Sequence, residues 1–130
     1  MFRFNTVRLV LTCLCAATAA SVCVAFARTD APSGASGTVR VAELPKQGIR
    51  TYTLVHQGGP FTSEKDGVIF GNRERMLPAK KRGYYLEYTV ETPGLNHRGV
   101  KRIVCGGERV TPDVCYYTAD HYASFRKIVP

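Results

Sequence analysis

Four residues of this 130-residue chain, Glu87, Arg98, Arg102 and His121, are of types that could do chemistry together. They stand in three short blocks: Tyr84 to Val90, His97 to Arg102, and Asp120 to Tyr122. One carboxylate, one imidazole and two guanidiniums suit phosphoryl transfer without a metal. The carboxylate removes a proton, the imidazole donates one, and the guanidinium forks hold two phosphate oxygens each. Other chemistries lack their signatures. The sequence has no Cys/His spacing for zinc, no glycine-rich loop ending in Lys-Ser/Thr and no G-x-S-x-G. No metal or cofactor is therefore expected.

The substrate class that fits such a set is RNA. Its 2′-hydroxyl lies beside the phosphodiester and is its own nucleophile, so positioning supplies much of the rate. Glu87 suits the general base, His121 the general acid, and Arg98 and Arg102 the phosphate. Glu87 and Asp120 would be counter-charges for the imidazole. Each residue taken singly also has an ordinary reading. A lone Glu on a strand is usually solvated surface, a lone His in a turn is polar surface, and two arginines four apart are surface charge or ion-pair partners.

The elements that must position these residues read as an α+β domain: one short N-terminal α-helix packed on a twisted antiparallel β-sheet. Apolar residues at Ile49, Tyr52, Leu54 and Val55 have helical spacing after Leu44-Pro45, and Gly58-Gly59-Pro60 ends the helix. Phe61 to Lys81 reads as a long surface loop with one short apolar run, Val68-Ile69-Phe70. From Gly83 onward the pattern is β. Tyr84, Leu86, Tyr88 and Val90 would form an apolar face, with Tyr85, Glu87, Thr89 and Glu91 opposite. Gly99 to Cys105 is predicted as a second strand, which would align Arg98, Val100 and Arg102. Val114 to Thr118 and Ser124 to Val129 are predicted as the third and fourth.

Residues 1–27 read as a secretory signal. Arg3 and Arg8 precede an apolar run from Leu9 to Val24, and Ala25-Phe26-Ala27 offers an A-x-A cleavage site. The three cysteines in this segment are not preceded by the small residue that lipid attachment would need. Removing the signal leaves 103 residues with 16 basic and 10 acidic side chains, a net charge of +6. A basic exported domain favours polyanions, and no membrane association is expected after cleavage. Residues 28–37, rich in Ala, Ser and Gly, read as a disordered mature N-terminus, and 38–130 as one domain. The mature chain keeps Cys105 and Cys115. In an oxidising compartment they suggest one disulfide, and a pair of free buried thiols is the alternative.

With these blocks the chain resembles the small secreted guanyl-specific ribonucleases of bacteria, the barnase-like group. The likeness runs from about Gly37 to the end. It is carried by Asp66 to Glu74, Leu77-Pro78, Gly83 to Val90, Thr92-Pro93-Gly94, Arg98-Gly99 with Lys101-Arg102, and Tyr116 to Phe125. The resemblance implies the microbial ribonuclease fold, cleavage of single-stranded RNA 3′ to guanosine through a 2′,3′-cyclic phosphate, and a secreted monomer. It implies catalytic roles for Glu87, His121, Arg98 and Arg102. It also implies a guanine site built from Val68, Phe70, Gly71, Asn72, Arg73, Glu74 and Tyr122. There the Glu74 carboxylate would accept from the guanine N1 and N2 groups, backbone N–H groups near Asn72 and Arg73 would donate to O6, and Phe70 and Tyr122 would stack on the base. An acidic protein inhibitor would suit such a basic cleft. Three departures stand out. The terminal disulfide of similar relatives is absent, with Arg40 at its first position, and a Cys105–Cys115 bridge looks like a substitute. The loop between those cysteines is longer. Gly71 replaces a larger polar residue. The competing readings are a catalytically inactive basic RNA- or surface-binding domain, and a ribonuclease deployed as an antibacterial toxin.

Overall fold

The computed structural model describes residues 35–130; the segment expected to be a signal and residues 28–34 lie outside the described residues. The chain runs β1 (Ala35–Arg40), a single 3-10 turn (Val41–Glu43), α1 (Lys46–Gln57), β2 (Val68–Ile69), β3 (Tyr85–Thr89), β4 (Arg102–Gly107), β5 (Pro112–Thr118) and β6 (Phe125–Val129). The strands form one six-stranded sheet in the order β1-β6-β5-β4-β3-β2. The α+β class holds. The sheet is antiparallel from β2 to β6, while β1 lies parallel to β6, so it is mixed. Ala35 to Gly37 fall in β1 and not in a disordered start: Ala35 pairs with Phe125 and Val39 with Ile128. Their small-residue composition gives no periodic signal. Backbone pairing with β6 supplies the order.

Helix α1 follows the expected boundaries. Pro45 precedes its first turn, where a missing N–H costs nothing. Gly58 ends it at φ 81°, with its neighbour Gly59 donating to the Leu54 carbonyl at 3.0 Å. Gly48 lets the helix approach the sheet: a Cβ there would lie 3.3 Å from Leu44 Cβ and 3.8 Å from Val90 Cγ1. The Thr51 hydroxyl donates to the Thr89 carbonyl at 3.0 Å and pins α1 to the end of β3.

Two cores lie on opposite faces of the sheet. Under α1 sit Val39, Leu44, Val55, Leu86, Tyr88, Val90, Ile103, Tyr117 and Ile128, together with Cys105 and Cys115. On the other face sit Leu77, Tyr85, Val104, Tyr116 and Phe125, with Phe70, Met76 and Tyr122 packed against them. The second core departs from the expected division of β3 into one apolar and one polar face. Tyr85 and Thr89 are buried and Glu87 is half-buried. The long segment between β2 and β3 folds back over that face and anchors there through Leu77, 2% exposed. Alternation within a strand does not register cover that arrives from a loop.

The cysteines form a disulfide, with Cα atoms 4.1 Å apart. They lie directly opposite each other inside the β4–β5 ladder, since β4 continues to Gly107 and β5 begins at Pro112. The second strand begins at Arg102, three residues later than Gly99, so Arg98 and Val100 belong to the preceding loop and do not share a strand face with Arg102. Val90 N–H donates to the Lys101 carbonyl at 3.1 Å, which closes that loop onto the sheet.

Candidate active site

Glu87 is the centre of β3. Val68 of edge strand β2 lies opposite it on one side and Val104 of β4 on the other. Its side chain is 14% exposed and both oxygens are engaged. Oε2 accepts from the Tyr122 hydroxyl at 2.8 Å, and Oε1 faces Arg98 Nη2 at 3.4 Å. Burial, first, and then the hydrogen bond to Glu87 push the Tyr122 phenol up to about 12, while the Arg102 guanidinium nearby lowers it. The phenol therefore stays protonated at neutral pH and donates to the carboxylate.

Arg98 reaches this carboxylate from the loop before β4. Its Nε donates to Thr89 Oγ1 at 2.8 Å, and its Nη2 lies 4.0 Å from Asp66 Oδ1. The Asp66 side chain is 4% exposed. Its Oδ1 accepts from the Thr89 N–H at 2.7 Å and its Oδ2 from the Ser63 N–H at 3.3 Å. A buried carboxylate that accepts two backbone N–H groups is fixed in place and can hold a neighbouring cation in position. Arg102 stands in the next strand, between Thr89 and Thr118 in the ladder, and is 3% exposed. One of its Nη groups donates to the Lys101 carbonyl at 2.8 Å. Its Nε is buried without an acceptor among the described residues. An unmet buried donor is costly, and an anion laid against it relieves that cost.

His121 and Tyr122 come from the turn after β5, with φ angles of 54° and 71°. Such left-handed backbone costs non-glycine residues on the order of 1–2 kcal/mol each, so something must hold it. Asp120 does so. Its Oδ1 accepts from Thr118 Oγ1 and from Ser124 N–H, both at 2.9 Å, and its Oδ2 from Ser124 Oγ at 2.5 Å. These bonds, those from Ser124 foremost, hold the Asp120 carboxyl below its ordinary value. Asp120 is thus a turn fastener, with its oxygens committed to Thr118 and Ser124, and not the counter-charge to His121 that adjacency alone implies. The Thr118 hydroxyl also accepts from Tyr122 N–H at 3.1 Å. His121 N–H donates to the Val100 carbonyl at 3.2 Å, tying this turn to the loop that carries Arg98. The exposed imidazole leans on the Tyr122 ring, centroids 4.9 Å apart.

The loop after β2 lies at the other end of Glu87. Phe70 N–H donates to the Tyr85 carbonyl at 2.9 Å. The half-buried Phe70 ring packs 5.1 Å from Tyr122 and 5.9 Å from Phe125. Asn72, at φ 48°, exchanges two hydrogen bonds with the backbone of Leu77, at 2.9 and 3.0 Å. Its side chain buttresses the loop and leaves its own backbone N–H free. Among the described residues no acceptor meets the N–H groups of Asn72 and Arg73, and no donor meets the Glu74 carboxylate, which is exposed. Gly71 needs no special conformation here. A Cβ would meet only the Arg73 side chain, at 3.5 Å, which is ordinary contact.

The fold thus gathers Glu87, Arg98, Arg102, Tyr122 and His121 along one stretch of the sheet, with the loop from Phe70 to Glu74 beside them. The disulfide lies in the core under α1, on the face away from Glu87. Sequence reasoning missed Asp66, Thr89 and the hydroxyl of Tyr122 as partners of the site. Asp66 sits in an Asp-Gly turn pattern, and nothing local links it to Arg98, 32 residues away.

A family model described as ribonuclease matches residues 26–129. The chain is 52% identical over 94 residues to guanyl-specific ribonuclease Sa3 of Kitasatospora aureofaciens, covering 72% of this chain and 64% of that protein's length. It is 50% identical to guanyl-specific ribonuclease Sa of the same organism, covering 72% of this chain and 94% of the relative. Identity to guanyl-specific ribonuclease St of Saccharopolyspora erythraea is 47%, covering 75% and 95%. Among solved structures, ribonuclease Sa2 in complexes with mononucleotides superposes with a TM-score of 0.67 at 44% identity, covering 74% of this chain and 95% of that one. Ribonuclease Sa2 with guanosine-2′-cyclophosphate gives 0.66 at 43%, covering 74% and 97%. With this degree of likeness across the whole described domain, the chain belongs to the family of guanyl-specific microbial ribonucleases.

Proposed function

We propose that this protein is an exported endoribonuclease that cleaves single-stranded RNA 3′ to guanosine. The observation that carries the reading is the Glu87 carboxylate, held between the Tyr122 hydroxyl at 2.8 Å and the Arg98 guanidinium at 3.4 Å, beside a loop with free backbone donors. Glu87 takes the proton of the guanosine 2′-hydroxyl. The 2′-oxygen attacks phosphorus, the bond from phosphorus to the 5′-oxygen breaks, and His121 gives that oxygen its proton. Arg98 and Arg102 balance the charge on the non-bridging oxygens. Water then opens the 2′,3′-cyclic phosphate with the two proton transfers reversed.

In the base site, the Asn72 and Arg73 N–H groups donate to guanine O6 and Glu74 accepts from N1 and N2. Phe70 and Tyr122 supply a stacking wall, with Val68, Gly71 and Arg73 around it. Such stacking is worth about 1–3 kcal/mol per base. Polar sites of this kind reject bases that leave their groups unpaired. A single copy carries every residue of the proposed site, so the reading needs no second subunit and takes the active form as a monomer. An acidic protein would block it.

The test is cleavage of GpU, ApU, CpU and UpU in excess EDTA, with Glu87→Gln, His121→Ala and Glu74→Ala alongside. Cyclic-phosphate product from GpU, lost by about 10²–10⁴-fold in the first two variants, is expected. Glu74→Ala should retain cleavage and lose the preference for G. Equal rates on all four substrates would remove the base assignment. Absence of cyclic phosphate would leave a binding domain only.

A further inference from the structure

The ten residues from Arg73 to Arg82 hold five basic side chains and one acidic, whereas residues 35–130 hold fifteen and nine. One segment thus carries +4 of a net charge of +6. Its cations, Arg73, Arg75, Lys80, Lys81 and Arg82, are all exposed, and none forms an ion pair among the described residues. The backbone beneath them is fixed. Leu77 is buried in the second core, Asn72 bridges to Leu77, and the Tyr85 hydroxyl donates to the Pro78 carbonyl at 2.7 Å. Lys80 Nζ lies 5.1 Å above the Tyr84 ring. Arg73 borders the base site; the other four lie beyond what the proposed chemistry uses, and Tyr84 N–H donating to the Lys81 carbonyl at 3.2 Å anchors the end of the segment.

Their position relative to Glu87 gives the strip a direction. Along β3, Tyr85 leads to the base loop through Phe70, and Thr89 leads to Arg98 and Arg102. A guanosine with its base in the loop and its 3′-phosphate over Glu87 places the downstream strand toward Arg98. On that placement the upstream strand can leave past the start of β3, where Lys80 stands over Tyr84 and Lys81 and Arg82 adjoin it. We propose that Lys80, Lys81 and Arg82 form a binding strip for the backbone of the RNA segment 5′ to the recognised guanosine. This rests on the reading of the site given above. The strip is independent of sequence, because exposed lysine and arginine meet phosphates and not base edges.

The experiment compares kcat/KM on GpU, a 5′-extended UpUpUpGpU and a 3′-extended GpUpUpU, from 20 to 200 mM salt. The proteins are wild type, Lys80→Gln/Lys81→Gln/Arg82→Gln, and Lys81→Gln/Arg82→Gln, which keeps Lys80 over Tyr84. Wild type should favour the 5′-extended substrate at low salt. Neutralising three phosphate contacts should flatten the slope of log kcat/KM against log salt by about 2 on that substrate. GpU cleavage should be unchanged in both variants, which also reports their folding. A gain confined to the 3′-extended substrate, or one that both variants keep, overturns the strip and leaves the ribonuclease reading intact. No cleavage of GpU by wild type overturns both.

Discussion

Removal of Asp66 is the sharpest probe of how this site is held. Its side chain is 4% exposed and does three things at once. It accepts the Thr89 N–H at 2.7 Å, accepts the Ser63 N–H at 3.3 Å, and stands 4.0 Å from Arg98 Nη2. In Asp66→Ala the Thr89 N–H, in a residue 6% exposed, loses its acceptor. An unsatisfied buried donor costs about 1–3 kcal/mol. Arg98 also loses one of its two carboxylates, and breaking a buried pair by removing one partner costs roughly 3–5 kcal/mol in all. The partly exposed Arg98 places this case at the lower end, so we expect about 3 kcal/mol. For a domain of this size that is roughly a 12 °C fall in Tm or more. Asp66→Asn keeps an acceptor for Thr89 and turns an amide toward Ser63, so it should cost less, about 2 kcal/mol. Urea unfolding at neutral pH measures both, with an unchanged m-value as the check that only stability moved. An Ala variant within 1 kcal/mol of wild type (about one-fifteenth to one-fifth of a typical domain's stability) would refute the reasoning, and so would an Asn variant as unstable as Ala.

Four further outcomes follow from the same contacts. Asp120→Ala frees the turn that holds His121 and Tyr122, so kcat on GpU should fall on the order of 10–100-fold and KM should rise as the stacking ring loosens, with the preference for G kept through Glu74, and Asp120→Asn should restore most of the activity. Because the Tyr122 phenol is raised to about 12 from 10.0, its contribution to stability is fully present below pH 10 and is lost as pH rises through 12. The Tm of wild type should therefore fall more than that of Tyr122→Phe over that window. Reduction of the Cys105–Cys115 bridge, which spans a sequence separation of 10, should cost about 2–3 kcal/mol by loop entropy and leave the preference for G intact. Alkylation and mass measurement of unreduced protein check that the bridge is there: two modified cysteines would remove it.

Local signals determined a great deal. Helical spacing with a glycine stop placed α1, because its stripe and its left-handed end are properties of neighbouring residues. Alternation from Tyr84 to Val90 placed β3 and set Glu87 at its centre. Two cysteines ten apart around a turn-forming segment anticipated their bridge. The residue types of Glu87, Arg98, Arg102 and His121 are what the proposed chemistry rests on, since few other reactions use that set without a metal. The remaining features depend on contacts between distant segments. Only the fold could show that β1 pairs parallel with β6, because that pairing joins Ala35 to Phe125 across 90 residues and leaves no periodic trace in a Ser- and Gly-rich start. Only the fold could show that the second face of β3 is covered, since Leu77 and Phe70 reach it from a loop. Asp120 follows the same logic: beside His121 in sequence, it turns its oxygens to Thr118 and Ser124, where three donors outbid one neighbour. The hold on Glu87 is the clearest case. Tyr122 lies 35 residues away and Arg98 eleven, and Arg98 in turn leans on Asp66, 32 residues before it. Residue type states what a side chain is able to donate or accept. Which partner it meets is settled by the packing that desolvates both, and that packing exists only once the sheet, the loop and the turn have closed on one another.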